Sequence, residues 1–284
     1  MTRNLALLLF LAQTTLPLAA APTGKTPFFR PRERAGVRQL SSHSKQSSAS
    51  PRAVAVNAAS FLAGICPGGL ATIFGQDLSN INGIVEASTE PLPTELANVQ
   101  VYVNDLPAPL FTVAYNGQED QINFQVPYET PTGPLAAHIQ VYNFGNLVAD
   151  FVTDSFTEDP GIFAYGADND AVAFLASDGS LIGPTNPAFP GDILVLYTTG
   201  LGPLTIDLVD GYGAPTNPLA YTEDPFDALV DGEPCTILFS GLAPGFVALY
   251  QINLQLPRDL PAGNLNLQIT SQYASSGIVA LPVN

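Results

Sequence analysis

The sequence predicts an all-β protein built as two tandem immunoglobulin-like β-sandwich domains that arise from an internal repeat. Three observations carry that reading. Apolar residues recur at every second position, the period of a strand that sends alternate side chains into a core. Pro and Gly, 26 and 24 of the 284 residues, punctuate the chain too often for long helices. The last 130 or so residues also repeat the preceding ones, block by block and in the same order.

The chain opens with Arg3, an apolar run over Leu5–Ala12 and the small residues Ala19-Ala20-Ala21. That is the pattern of a secretory signal, residues 1–21. Its apolar run falls short of the roughly 20 residues a membrane span needs, so an uncleaved anchor is the lesser alternative. Residues 22–52 hold seven basic residues, one acidic residue and six Ser within Ser41–Ser50. Such a basic, Ser-rich tract buries too little apolar surface to offset ordering entropy and is expected to be a disordered linker. The alternative is an arm that contacts anionic polymers or the acidic body of the chain.

Residues 53–157 and 158–284 are the two expected sandwiches. Gln121-Ile-Asn-Phe-Gln-Val-Pro127 returns as Gln251-Ile-Asn-Leu-Gln-Leu-Pro257, and Pro131-Thr-Gly133 as Pro261-Ala-Gly263, both at an offset of 130. Val103-Asn-Asp-Leu-Pro107 matches Val230-Asp-Gly-Glu-Pro234 at 127, and Pro67-Gly68 matches Pro190-Gly191 at 123. Drifting offsets in an unbroken order are the mark of one duplicated unit with loop insertions. Val99, Val101 and Val103 alternate as a strand does; so do Ile122, Phe124 and Val126, Ile252, Leu254 and Leu256, and Leu265, Leu267 and Ile269. Ile193-Leu-Val-Leu-Tyr197 is apolar throughout and reads as a strand buried on both faces. An additional hairpin is expected near Asp178-Gly179. About 100 residues per copy with short strands suits an immunoglobulin-like sandwich.

The blocks Val56-Asn-Ala-Ala-Ser-Phe61, Pro91-Leu-Pro93, Gln121–Pro127, Pro160-Gly-Ile-Phe163, Thr199-Gly-Leu-Gly-Pro203 and Gly241-Leu-Ala-Pro-Gly-Phe246 stand in the order of the Solibacter-type uncharacterised C-terminal domain family of bacterial exported proteins. Pro67-Gly-Gly-Leu-Ala-Thr-Ile-Phe-Gly-Gln-Asp-Leu78 separately resembles the opening strand of IPT/TIG immunoglobulin-like domains. The resemblance implies export and β-sandwich modules; it supplies no activity and no catalytic residue.

Charge excludes one class of partner. Residues 53–284 carry one basic residue, Arg258, against 24 acidic ones, a net −23. Phosphate backbones are bound through Lys and Arg, so nucleic acid is not expected as a partner. Catalytic side chains are also scarce. His138 is the one His of the body, with no Gly-x-Ser-x-Gly elbow beside it, and it aligns with Gln268 of the second copy, so a structural or solvent-facing role is expected. No catalytic residue, cofactor or metal is assigned. The acidic groups Asp150/Asp154/Glu158/Asp159, Asp168-Asn169-Asp170 and Glu223/Asp224/Asp227 match no EF-hand spacing and read as a solubilising surface rather than a calcium site. A glycoside hydrolase would need two carboxylates in a cleft, and the chain has no Trp for stacking sugars.

The most site-like feature is the pair of amide ladders, Gln121/Asn123/Gln125 and Gln251/Asn253/Gln255. With Tyr128 or Tyr250 nearby, they could bind sugar hydroxyls or a peptide strand; otherwise they pair across the sheet in both copies. Cys66 and Cys235 occupy non-equivalent places, and a disulfide between them is as open as two free thiols. The expectation is a secreted or cell-surface monomer, non-enzymatic, structural or adhesive, with an envelope or extracellular polysaccharide or protein as partner and no transmembrane segment after signal cleavage. A carbohydrate-binding module is the first alternative.

Overall fold

A computed structural model describes residues 53–284; the segments read as an export signal and a basic linker lie outside the described residues. Every regular element of this region is a strand. The first copy supplies β1 (Ala53–Asn57), β2 (Leu70–Gly75), β3 (Gly83–Glu86), β4 (Val99–Val103), β5 (Leu106–Pro107), β6 (Leu110–Tyr115), β7 (Asp120–Gln125), β8 (Gly133–Asn143) and β9 (Asn146–Ser155). The second supplies β10 (Gly161–Ile162), β11 (Ala164–Tyr165), β12 (Asp170–Ala171), β13 (Ala173–Leu175), β14 (Ile193–Thr199), β15 (Asp227–Val230), β16 (Glu233–Pro234), β17 (Thr236–Leu242), β18 (Tyr250–Gln255), β19 (Gly263–Thr270) and β20 (Val279–Val283).

The duplication is visible in the strand order. In the first copy the sheet β1-β2-β7-β6-β3 packs on β5-β4-β8-β9. In the second, β10-β14-β18-β17, with β13 also paired to β14, packs on β11-β12-β20-β19-β15-β16. The run β2-β7-β6 thus recurs as β14-β18-β17, and β5-β4-β8-β9 as β16-β15-β19-β20. These are the A-B-E-D and C′-C-F-G sheets of an immunoglobulin-like sandwich, present twice. The turns repeat too. Asn104 and Asp105 (φ 50° and 65°) and Asp231 and Gly232 (φ 49° and 87°) are all left-handed, as a two-residue type I′ hairpin requires.

Alternation builds two cores. Val99, Val101, Val103, Ile122, Phe124, Ile139 and Val141 fill the first; Leu194, Leu196, Ile252, Leu254, Leu267 and Ile269 fill the second. Each such side chain removed from water contributes about 1.5–3 kcal/mol, offset by the entropy of ordering it. The strand Ile193–Thr199 departs from expectation. Leu194 and Leu196 are core residues, but Ile193 is exposed and Val195 and Tyr197 are half-buried. One face of this strand is therefore only partly covered at its first five positions. A tight turn at Asp178-Gly179 brings Leu181 back beside Phe174.

The two copies are joined by a seam with its own apolar cluster, in which Leu70 and Ala58 of the first copy meet Phe163, Val172, Ala243 and Leu249 of the second. Polar groups cross it in register. The buried Thr199 hydroxyl accepts from the Leu70 N–H at 2.7 Å. Asn57 uses both ends of its amide: Oδ1 accepts from the N–H groups of Ala59 and Ser60, while Nδ2 donates to the Asp159 carbonyl at 2.7 Å. Gly200, at φ +74°, lets the chain pass so close that a Cβ there would lie 2.1 Å from the Asp159 carbonyl oxygen.

Candidate functional site

The two amide ladders lie on equivalent strands, β7 and β18, on the face turned away from each core. Both make the same internal bond. Gln121 Nε2 donates to Asn123 Oδ1 at 3.0 Å, and Gln251 Nε2 donates to Asn253 Oδ1 at 2.7 Å. A bond repeated in both copies belongs to the fold, since it leaves fewer free amide atoms on the sheet face.

Beyond that bond the ladders diverge. In the first copy Asn123 is buried and also accepts from the Thr72 hydroxyl at 2.8 Å. Gln125 is fully buried, and its Oε1 accepts from the N–H of Gly211 in the second copy at 2.6 Å. The ligand-contacting role expected for Asn123 and Gln125 is therefore corrected: the seam and the neighbouring strands take these side chains out of solvent. Tyr128 is half-buried, whereas Tyr250 is removed from solvent altogether. The Tyr128 ring lies against Gly68, where a Cβ would fall 2.3 Å from its Cε1. Tyr250 is fully buried and donates to the Gly202 carbonyl at 2.7 Å, with burial pushing its phenol well above the usual range.

In the second copy Gln251, Asn253 and Gln255 all remain half-exposed. Cross-strand registers place Tyr197 on one side of Gln251 and Gly241 on the other, and Val195 and Phe239 on either side of Asn253. Phe174 pairs with Val195 from β13 and meets the Tyr197 ring edge-on, centroids 5.8 Å apart. Tyr221 bridges to Gly241 and its ring lies 5.3 Å from that of Phe239. Gly241 makes the second pair possible: a Cβ there would sit 2.1 Å from the Ala220 carbonyl oxygen and 3.0 Å from Phe239 Cζ. The result is an amide ladder with an aromatic pair on each flank. Gln255 stands at its end, donating from Nε2 to the Gly191 carbonyl at 3.1 Å. Tyr221 is 46% exposed, the most open of the four rings. Sequence reading missed these aromatics because the members of each pair are 18 or more positions apart; the available signal was Tyr197, Phe174 and Phe239 within alternating runs.

The charged groups are dispersed. Asp150 bonds His138 at 2.8 Å and Gln140 at 3.1 Å, and the His138 bond, then the Gln140 bond, draw its carboxyl below the usual range. Asp154 accepts from the Leu135 N–H, Glu158 from the Ser271 hydroxyl, and Asp159 from Asn57. Burial raises both Glu158 and Asp159. Among the described residues no group of three or more His, Cys, Asp or Glu side chains is placed to hold a metal. Glu129 adds to the upward shift of Asp210, and Asp224 to that of Glu158, in each case after burial. Cys66 and Cys235 are free thiols. Cys66 is buried, with its Sγ 3.4 Å from the Thr157 carbonyl oxygen, and Cys235 packs against the second core, so the disulfide left open by the sequence is not formed.

No protein-family model and no curated protein matches the chain. Solved structures with a similar course include SGBP-B of the Bacteroides ovatus mixed-linkage glucan utilization locus, in complex with a mixed-linkage heptasaccharide, at 12% identity and TM-score 0.32 over 78% of this chain and 44% of that one. A titin tandem of Ig domains, A164-A165, matches at 10% identity and TM-score 0.19 over 78% and 92% of the two chains. The Yersinia pseudotuberculosis adhesin InvE matches at 10% identity and TM-score 0.20 over 77% and 56%. The chain spans less than half of the Bacteroides protein. Likenesses this distant carry no inference about ligand. The fold rests on the strand order and registers described above: an all-β pair of immunoglobulin-like sandwiches.

Proposed function

We propose that the protein is an exported, non-enzymatic adhesive module that presents the open face of its second sandwich to an envelope or extracellular partner. The observation that carries this reading is the half-exposed ladder Gln251/Asn253/Gln255 held between the Phe174/Tyr197 and Tyr221/Phe239 pairs. Aromatic rings and amides on a rigid sheet give contact area and directed hydrogen bonds without a large ordering cost. Export rests on the residue pattern 1–21 and on the family resemblance. The absence of a nucleophile–base pairing in the sequence supports a binding rather than a catalytic role.

A carbohydrate ligand is the second reading, and the aromatic flanks favour it. Flat rings accept the C–H face of a sugar, while free amide atoms match its hydroxyls. The test is a glycan array and polysaccharide pull-down with the wild-type protein and the Gln251→Ala/Asn253→Ala variant. Saturable binding lost in the variant supports this reading. Binding to protein components alone, lost in the same variant, supports the adhesive reading without sugar. Unchanged binding in the variant removes this face from both.

A further inference from the structure

The first sandwich has an open face of its own, on the opposite type of sheet. Along β4 and β8 the inward residues Val99, Val101, Val103, Ile139 and Val141 are fully buried, so Gln100, Tyr102, His138, Gln140 and Tyr142 point outward and are half-exposed. Registers set Gln100 beside Tyr142, and Tyr102 beside Gln140, which continues to Asp150. The two Tyr rings meet edge to face at 5.6 Å. Four strands about 4.8 Å apart, with same-face residues about 6.8 Å apart along each, make a surface of roughly 14 Å by 14 Å.

The duplication provides an internal control. By strand register the second-copy residues at the positions of Gln100, Tyr102, His138, Gln140 and Tyr142 are Asp227, Leu229, Asn266, Gln268 and Thr270. Only Gln140 keeps its residue type, as Gln268, so a sandwich folds without the other four side chains, and the aromatic pair is a property of the first copy alone. Its charge is sparse: the carboxylate of Asp150 has one oxygen on His138 Nε2 and the other on Gln140 Nε2. The surrounding body is strongly acidic, with Arg258 its lone basic residue, and repels polyanions. A basic protein would be drawn to the free acids elsewhere rather than to this face.

We infer that the Tyr102/Tyr142 face binds a neutral polysaccharide chain, and that with the second-sandwich face it makes the protein a two-handed cross-linker of such polymers. The inference rests on the carbohydrate reading of the module but uses a separate surface. Tyr142 and Tyr102 supply rings for the apolar faces of the sugars, and Gln100 and Gln140 supply paired donors and acceptors for neighbouring hydroxyls. Because the seam joins the sandwiches through buried bonds, both faces are held on one body. A polymer that spans them gains avidity that neither face has alone, of order 10²–10⁴-fold when the span fits.

The test uses the full-length protein on immobilised cellulose, xylan, mannan and laminarin, with Tyr102→Ala/Tyr142→Ala, Tyr221→Ala and the triple variant, each checked by thermal unfolding. One of the four polymers is expected to retain the wild type. Tyr102→Ala/Tyr142→Ala should weaken retention at least 10-fold, and the triple variant should lose it. Loss with Tyr102→Ala/Tyr142→Ala but not with Tyr221→Ala keeps this face as a glycan site and removes the second-sandwich one. Loss with Tyr221→Ala alone overturns the inference and leaves the carbohydrate reading of the other face intact. No retention of the wild type on any polymer, or saturable binding of a basic protein instead, overturns it outright. If the first double variant unfolds, Gln100→Ala/Gln140→Ala replaces it with the same expected outcome.

Discussion

The side-chain oxygen of Gln125 lies 2.6 Å from the backbone nitrogen of Gly211, and this buried bond ties the first copy to the second. Gln255 holds the equivalent place in the repeat, yet donates within its own copy to Gly191 at 3.1 Å. Gln125→Ala should therefore strand the Gly211 N–H and leave a cavity, at a cost of about 3 kcal/mol. Gln255→Ala, at a half-exposed site, should cost about 1 kcal/mol. Urea unfolding of both variants decides the matter; equal losses would mean that Gln125 does not hold the seam.

Asp210 sits at the same seam, its Oδ1 accepting from the Tyr128 N–H at 3.2 Å. Burial, and beyond it the neighbouring Glu129 carboxylate, push its pKa up to about 6 against the opposing Tyr128 bond. The unfolded value is about 3.9. The folded state thus binds this proton more tightly, so the carboxylate costs stability above pH 6, and that cost is relieved as pH falls from about 6 to about 4. Buried Glu158 and half-buried Asp159, also raised, act in the same direction. Asp210→Asn should be more stable than wild type near pH 7, and the difference should vanish near pH 4. A constant difference across denaturation curves at several pH values would show that Asp210 does not titrate there.

Gly200→Ala tests how closely the copies approach. A left-handed Ala costs about 1–2 kcal/mol anywhere, as it would at Gly117, which is at φ +92° with open space around it. At Gly200 the added Cβ also meets the Asp159 carbonyl, which is backbone and cannot turn aside. Gly200→Ala should cost about 3 kcal/mol or more by chemical denaturation, with Gly117→Ala about half as harmful.

Neither thiol should react in the native protein. Burial pushes Cys66 up to about 12, with Asp159 next in effect, and Cys235 up to about 11. Both then hold very little thiolate near pH 8. A thiol reagent should label two groups per chain in denaturant without reductant, and almost none before unfolding. Zero labelling in denaturant would reveal a disulfide.

Much of the fold is legible in the residues. The Val99/Val101/Val103 alternation, the Asn104-Asp105 and Asp231-Gly232 turns and the 130-residue offset of the ladders are local signals, and each corresponds to strands, hairpins and a repeated topology. The strand Ile193–Thr199 misled because an apolar run records affinity for a core, not the number of layers over it. The candidate site was half legible. The ladders could be read from their spacing, but Tyr221 reaches Phe239 only because 220–222 adds a bridge beside β17.

By itself, then, the sequence determined the sandwich and its doubling, because strand period and turn chemistry depend on residues a few positions apart. Only the tertiary structure decided which ladder faces solvent. Gln125 and Gln255 are the same residue in the same motif, and what separates them is whether a loop more than 80 positions away folds onto the side chain. That choice is made by seam packing, which local pattern does not encode.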